Sequence, residues 1–288
     1  SSSRSRSGRD RLVLASDLPA MTGRSGARTG EGGGVLAVLG IVAAVFLALP
    51  LLGLLQRTPW RQLGSLLSQP EATEALRLSL VVALTATVLA TVLGVPLAWM
   101  LARTRFPGRS VVRALVLLPM VLPPVVAGVA LLFALGRRGL VGQYLDRWFG
   151  ITLPFTTAGA IVAVTFVALP FLVITVESGL RSLDPGYEEA ARTLGASRLV
   201  TFWRVTVPLL APQLAAGAAL AFARALGEFG ATITFAGNVQ GRTRTLPLAV
   251  YVDLQTDREA ALALSVVLLA VSLTVLVLLR DRIVGGSS

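Results

Sequence analysis

Apolar residues in this chain are gathered into long uncharged runs separated by short polar stretches. Gly32 to Gln56, Leu78 to Ala102, Ala114 to Gly136 and Gly150 to Val176 contain no charged residue. Leu209 to Ala236 is interrupted only by Arg224 and Glu228, and Ala260 to Leu279 is again free of charge. A helix needs about 20 apolar residues to cross a hydrocarbon core about 30 Å thick. The pattern predicts an all-α integral membrane protein of six transmembrane helices, with its membrane domain over 34–280.

Prolines punctuate these runs at Pro50, Pro96, Pro119, Pro123, Pro124 and Pro170. Each removes a helix amide and crowds the preceding turn, at a cost of about 3 kcal/mol in water. Neighbouring helices and hydroxyl groups can re-satisfy the freed carbonyls in a bundle. The run Leu118-Pro119-Met120-Val121-Leu122-Pro123-Pro124 predicts that the third span is kinked or begins there.

Residues 1–33 break the apolar pattern. Ser, Gly and Arg dominate this segment, which cannot bury enough apolar surface to offset its ordering entropy, so a flexible tail is expected. It does not read as a signal peptide, because the apolar run that follows is too long and lacks a cleavage site. A first residue of Ser rather than Met suggests a trimmed start.

Composition agrees with the pattern: 54% of the 288 residues are hydrophobic and 14% are charged. The net charge of +11 would suggest nucleic acid in a soluble protein. The positions of the arginines give another reason. With the N-terminus inside, sixteen fall in cytoplasmic segments and nine in outer loops, and Arg224 lies within a span. This positive-inside bias predicts a multi-pass protein of a cell membrane with both termini inside, in contact with lipid and not with nucleic acid. Its cleanest part is the second loop, where Arg103, Arg105, Arg109 and Arg113 stand without an acid.

The side-chain inventory narrows the chemistry. Cys, His and Lys are all missing from the sequence. A GxxxxGK[ST] phosphate loop cannot be written without Lys. Thiol nucleophiles, imidazole bases and ordinary zinc sites are excluded as well. No catalytic or metal-ligating residue is assigned, and an intramembrane enzyme is disfavoured.

The longest internal loop, 177–208, is patterned as a helix. Asp184 suits an N-cap, Pro185 the first helical position and Gly195 a left-handed C-terminal cap. Tyr187, Ala190, Ala191 and Leu194 recur at i, i+3, i+4 and i+7, making one apolar face. Glu188 and Arg192 are expected to pair on the opposite side. A helix of about ten residues, near 15 Å, is too short to span a membrane and presents a shallow alanine face to another protein.

The spacing around that helix resembles the EAA loop of ABC importer permeases. Glu189-Ala190-Ala191 is followed by three residues, Gly195, nine residues and Val205-Thr206-Val207-Pro208. The family pattern ends I-x-L-P, so Val205 and Val207 are mild departures. A second segment is similar to the oxyanion branch of that family, and most of all to molybdate permease subunits. It comprises Gly227-Glu228-Phe229-Gly230-Ala231-Thr232, then Gly237-Asn238, then Thr243-Arg244-Thr245-Leu246-Pro247-Leu248.

The resemblance implies a type I ABC importer permease fold with a cytoplasmic coupling helix. It assigns ATPase coupling to Tyr187, Glu188, Glu189, Ala190, Ala191, Gly195 and Pro208. It further implies a homodimer, a separate cytoplasmic ABC ATPase dimer that binds the ATP and Mg, and an extracytoplasmic solute-binding protein. No cofactor is expected in this chain, and the membrane would be a bacterial or archaeal cell membrane. Molybdate is the expected substrate, with sulfate/thiosulfate or tungstate as alternatives.

Arg224 and Glu228 are spaced i,i+4 and can neutralise each other inside the fifth span. They are candidates for the translocation path, with Thr232, Thr234 and Asn238 beyond them; a purely structural ion pair and helix capping are the competing readings. An ion-gradient-driven secondary transporter is a further alternative, but it would usually show repeats and several intramembrane carboxylates, whereas Glu228 stands alone.

Overall fold

The computed structural model describes residues 32–284, so the tail expected over 1–33 lies outside the described residues except for Gly32 and Gly33, which open the first helix. The chain divides into two units at Gly53/Leu54. Helix α1, Gly32–Arg57, supplies the described part of the first unit as far as Gly53 and is apolar on all sides, with Val35, Leu39, Val42 and Phe46 exposed.

The second unit is helical among the described residues. Short α2 (Leu63–Leu67) leads into α3 (Pro70–Arg103), and α4 (Arg109–Val121), α5 (Pro124–Leu135) and α6 (Gly142–Phe149) follow. Next come α7 (Thr157–Ser182), α8 (Gly186–Thr193), α9 (Arg198–Thr201), a π-helical turn at Phe202–Thr206, and α10 (Val207–Leu209). The order ends with α11 (Ala211–Leu226), α12 (Gly230–Phe235), α13 (Leu246–Thr256) and α14 (Arg258–Val284).

Small residues hold the core together. On α3, Ala75, Ser79, Val82, Ala86, Ala90, Gly94, Ala98 and Leu101 recur every three or four positions and are buried, while Leu84, Val88, Val92 and Leu93 face outward. The hydrophobic effect does not draw helices together in lipid, so close approach of small residues and van der Waals packing must do so. A Cβ on Gly94 would lie 2.6 Å from Leu172 Cδ2 of α7, and one on Gly217 of α11 would lie 3.3 Å from Thr175 Cβ. Thus α3, α7 and α11 form the central packed layer. A second cluster joins α5, α7 and α12 through Ala127, Leu131, Ala163, Val167, Ala231 and Phe235.

Among the described residues, four helices are long and apolar enough to cross a membrane: α1, α3, α7 and α14. The other two predicted spans are not single helices. The third stops at Val121 and restarts at Pro124, because Leu122 and Pro123 are extended and neither Pro123 nor Pro124 has an amide to continue the ladder. The fifth, expected over Leu209 to Ala236, breaks at Gly227, nine residues before that boundary, and α11 at its start is bent by 74° from the preceding Arg198–Leu209 segment.

Candidate functional site

The loop after α7 folds locally as its capping residues dictate. Asp184 Oδ1 accepts the Gly186 amide at 2.9 Å, and the Pro185 carbonyl accepts the amides of Glu188 and Glu189 at 3.0 Å. At the other end Gly195 adopts φ +88°, a conformation that costs an L side chain about 1–2 kcal/mol. Its amide donates to Arg192 O at 3.0 Å and the Ala196 amide to Ala191 O at 3.1 Å, the paired bonds of a Schellman cap. Helix α8 is therefore eight residues long and stopped at both ends.

One side of α8 is free and the other is tied down. Tyr187, Glu189, Ala190 and Leu194 are exposed, Leu194 at 89%. Glu188 is turned inward instead. Its carboxylate accepts Thr206 Oγ1 at 2.9 Å and lies 3.5 Å from Arg103 Nε. The expected side-chain pair between Glu188 and Arg192 is not formed; Arg192 Nε donates to the backbone carbonyl of Glu188 at 3.3 Å. The side chains of Arg103 and Glu188 are only 16% and 14% exposed, so each charge has more to gain from the other than from a solvated neighbour.

The same loop is clamped at its root. Glu177 is buried and accepts from Arg113, at the start of α4, and from Arg181 Nη2 at 2.7 Å. Arg103 Nη2 also donates to Leu183 O at 3.2 Å. Arg103 at the end of α3 and Arg113 on α4 thus find their carboxylates on α8 and near the end of α7, and these contacts make one charge-stitched platform around α8.

A second arrangement lies where the two broken spans meet. Arg224 Nη1 is 2.6 Å from Glu228 Oε2, and the other carboxylate oxygen accepts the Ala231 amide at 2.7 Å. Glu228, with its side chain 1% exposed, thereby bridges the gap between α11 and α12 and caps the second of them. The break in the third run stands opposite. A Cβ on Gly230 would fall 2.6 Å from Pro124 Cβ, and one on Gly128 would fall 2.9 Å from Ala231 O. Interrupted backbone at membrane depth is tolerated only where protein or a water-filled cavity surrounds it.

Residues 94–285 match the family model described as the binding-protein-dependent transport system inner membrane component. The chain belongs to this family. It is 50% identical over 234 residues to the molybdenum transport system permease protein ModB of Mycobacterium tuberculosis, covering 81% of this chain and 88% of the relative. Identity to the protein of the same name in Escherichia coli is 42% over 214 residues, or 74% of this chain and 93% of the relative. The sulfate transport system permease protein CysT of Salmonella typhimurium is 42% identical over 240 residues, covering 82% and 86%.

Among solved structures, that of a bacterial alginate ABC transporter in complex with its alginate pentasaccharide-bound periplasmic protein superposes with a TM-score of 0.70 at 19% identity, covering 89% of this chain and 95% of that one. An inward-facing methionine transporter, MetNI, gives 0.55 at 21% identity over 75% and 95%. These likenesses identify the fold as that of type I ABC importer permeases.

Within this family fold, the residues picked from sequence separate into groups. Tyr187, Glu189 and Ala190 share the outer side of α8, Ala191 stands at its edge, Gly195 caps the helix, and Pro208 lies beyond the π turn in α10. Glu188 belongs to the inner side. Arg224 and Glu228 are together as expected. Thr232 is fully buried on α12, Thr234 Oγ1 donates to Gly230 O at 2.8 Å, and Asn238 Oδ1 accepts Arg244 Nε at 3.0 Å, apart from the ion pair. Sequence reasoning did not foresee that Arg103 would pair with Glu188 or Arg113 with Glu177. The signal available was an imbalance: four arginines without an acid in one loop and a Glu177/Arg181 pair at i,i+4 in the other.

Proposed function

We propose that this chain is the membrane permease of an ATP-driven molybdate importer. The observation that carries the substrate is the similarity to molybdenum permeases, which reaches 50% identity over 81% of the chain. The sulfate permease at 42% keeps sulfate as the second reading. Two copies would surround one path, with six passes each if the α4–α5 and α11–α12 segments cross as broken spans. Both termini and α8 would lie on the cytoplasmic side, and a solute-binding protein would deliver the anion from outside.

ATP is hydrolysed by a separate subunit in this reading, and α8 transmits the motion. Its exposed side, built from Tyr187, Glu189, Ala190 and Leu194, suits a shallow cleft of that subunit. Its inner side ties it through Glu188 to α3 and the π turn, so a push on α8 reaches two long helices without being absorbed in the loop. Above, the meeting of two broken spans at Gly230 and Pro124 suits a gate, since interrupted helices can shift at their breaks. The path would bind a divalent oxyanion weakly, because tight binding prevents release.

The test is uptake of radiolabelled molybdate in cells lacking their own molybdate permease and supplied with this chain and its partner subunits. Uptake that a tenfold excess of sulfate leaves intact supports the molybdate reading. Uptake abolished by that sulfate supports the sulfate alternative, and no anion uptake by an assembled, ATP-hydrolysing complex overturns both.

A further inference from the structure

The inner side of α8 faces a half-open cavity of about 540 Å³ away from the exposed side of that helix and from the Arg224–Glu228 pair. It is lined by Arg103, Arg105, Arg109, Arg192 and Arg198, with Glu188 as its single acid. Among the described residues, Arg105, Arg109, Arg192 and Arg198 make no ion pair. Two polar atoms on the lining, Arg109 Nε and Thr201 Oγ1, are also buried without a hydrogen-bond partner, and Arg103 Nε has only the Glu188 carboxylate at 3.5 Å, beyond hydrogen-bond length for a strong contact. Thr201 is only 4% exposed. A buried donor left unpaired costs about 1–3 kcal/mol, and two of them on one basic cavity, Arg109 Nε and Thr201 Oγ1, mark a place shaped for an acceptor.

The acceptor's chemistry follows from the donors. Guanidinium groups match planar or tetrahedral oxyanions with paired N–H bonds, and a hydroxyl can donate one more. A lone carboxylate against five arginines leaves excess positive charge that a dianion or a phosphodiester would balance. Trp99 forms part of the wall and stacks edge-on to Phe202 at 6.5 Å, with Trp203 beside it. Aromatic clusters of this kind favour the headgroup level of a membrane.

We propose that this cavity is a phosphate-type oxyanion site that fastens the end of α3 to α8 and α9. The oxyanion is either the headgroup phosphate of an anionic lipid or a free inorganic phosphate. The proposal needs a membrane permease but not a molybdate importer. An anion seated there would satisfy Arg109 Nε and Thr201 Oγ1 and would stiffen the platform under α8.

The test uses the assembled transporter, delipidated in neutral detergent. Native mass spectrometry reads retention of phosphatidylglycerol against phosphatidylcholine, and calorimetry with inorganic phosphate reads the free anion. The variant is Arg105→Gln with Arg198→Gln, two exposed side chains; Arg105→Lys with Arg198→Lys restores charge, and Arg61→Gln with Arg147→Gln controls for general loss of charge. Binding about tenfold weaker in the first variant, recovered in the second and unchanged in the control, is the expected result. A loss confined to phosphatidylglycerol assigns the site to lipid, and one confined to phosphate assigns it to the free anion. If neither ligand distinguishes the first variant from the native complex, or the control falls equally, the site does not exist. Molybdate uptake is not measured in any arm, so this failure leaves the transport reading standing.

Discussion

Arg103 at the end of α3 and Glu188 on α8 lie 3.5 Å apart, 85 positions distant in sequence, and this contact joins α8 to a helix long and apolar enough to cross a membrane. Glu188→Gln keeps the Thr206 hydrogen bond but removes the charge that balances Arg103. Breaking one side of a largely buried pair leaves the other uncompensated. The expected outcome is faster hydrogen exchange of residues 186–196 by about tenfold, equivalent to about 1.4 kcal/mol of local stability. ATP hydrolysis should persist in the assembled complex while uptake per ATP falls. Unchanged exchange and unchanged coupling would show that the contact carries no load.

Gly195 offers a sharper handle on the same helix. Its φ of +88° excludes Pro, and its amide is a donor in the cap, so Gly195→Pro removes both the conformation and the bond. Gly195→Ala should cost about 1–2 kcal/mol and leave transport only slightly reduced. Membrane insertion of the Pro variant should be normal, with ATP hydrolysis detached from uptake in proteoliposomes. Glu189→Arg, which alters an exposed position, should weaken ATPase association without changing the melting temperature of the permease alone.

How far these features were legible depends on the range of the interaction. The caps at Asp184 and Gly195 are local and could be read from residue type. The partner of Glu188 could not, because the i,i+4 rule sees Arg192 and knows nothing of Arg103. The break at Leu122–Pro123 was announced by its prolines, whereas the one at Gly227 sits in an apolar run where glycine alone does not end a helix. The inner face of α3 was visible only in size: Ala86, Ala90, Gly94 and Ala98 carry less apolar surface than the leucines outside, so hydrophobic periodicity does not mark it as the buried side.

Gly128 tests the contact between the broken spans. A methyl group there would meet Ala231 O at 2.9 Å and Thr234 Cβ at 2.6 Å, and backbone cannot step aside as a flexible side chain can. Gly128→Ala should destabilise by about 1–3 kcal/mol and lower the melting temperature in detergent by several degrees. Gly40→Ala, which meets nothing within 4 Å, serves as the control and should leave it unchanged. Equal melting of the two variants would mean that α5 and α12 do not pack this closely.

Asp253, on α13 outside the long spanning helices, gives a dependence on pH. Burial raises its pKa above the ordinary 3.8; Arg244 opposes the rise, and Asp257 and Glu71 add to it. The folded protein therefore binds this proton more tightly than the unfolded chain. The stabilisation is fully present below pH 3.8 and is lost as pH rises through the folded pKa. Asp253→Asn should melt no lower than the native chain at pH 7, and any advantage should close as pH approaches 4. A lower melting temperature for the variant at pH 7 would mean that attraction to Arg244 outweighs burial.

The Arg224–Glu228 pair can be asked whether it shapes the path or only locks the break. Arg224→Gln leaves Glu228 with one amide and no countercharge in a site 1% exposed, so about 3–5 kcal/mol should be lost and assembly should suffer. Adding Glu228→Gln removes the orphaned charge and still allows a hydrogen bond to the Ala231 amide, so the double variant should assemble. Its transport rate then separates the roles. A pair that only locks the break predicts near-native uptake by the double variant, because a neutral hydrogen-bonded bridge holds α11 and α12 as well. A pair that faces the anion predicts uptake reduced by about tenfold or more with ATP hydrolysis still stimulated by the binding protein, since a lost charge-assisted contact is worth roughly 1.5–3 kcal/mol. The 27% exposure of the Arg224 side chain, against 1% for its partner, places the cation on the accessible side of the pair and leads us to expect the second outcome.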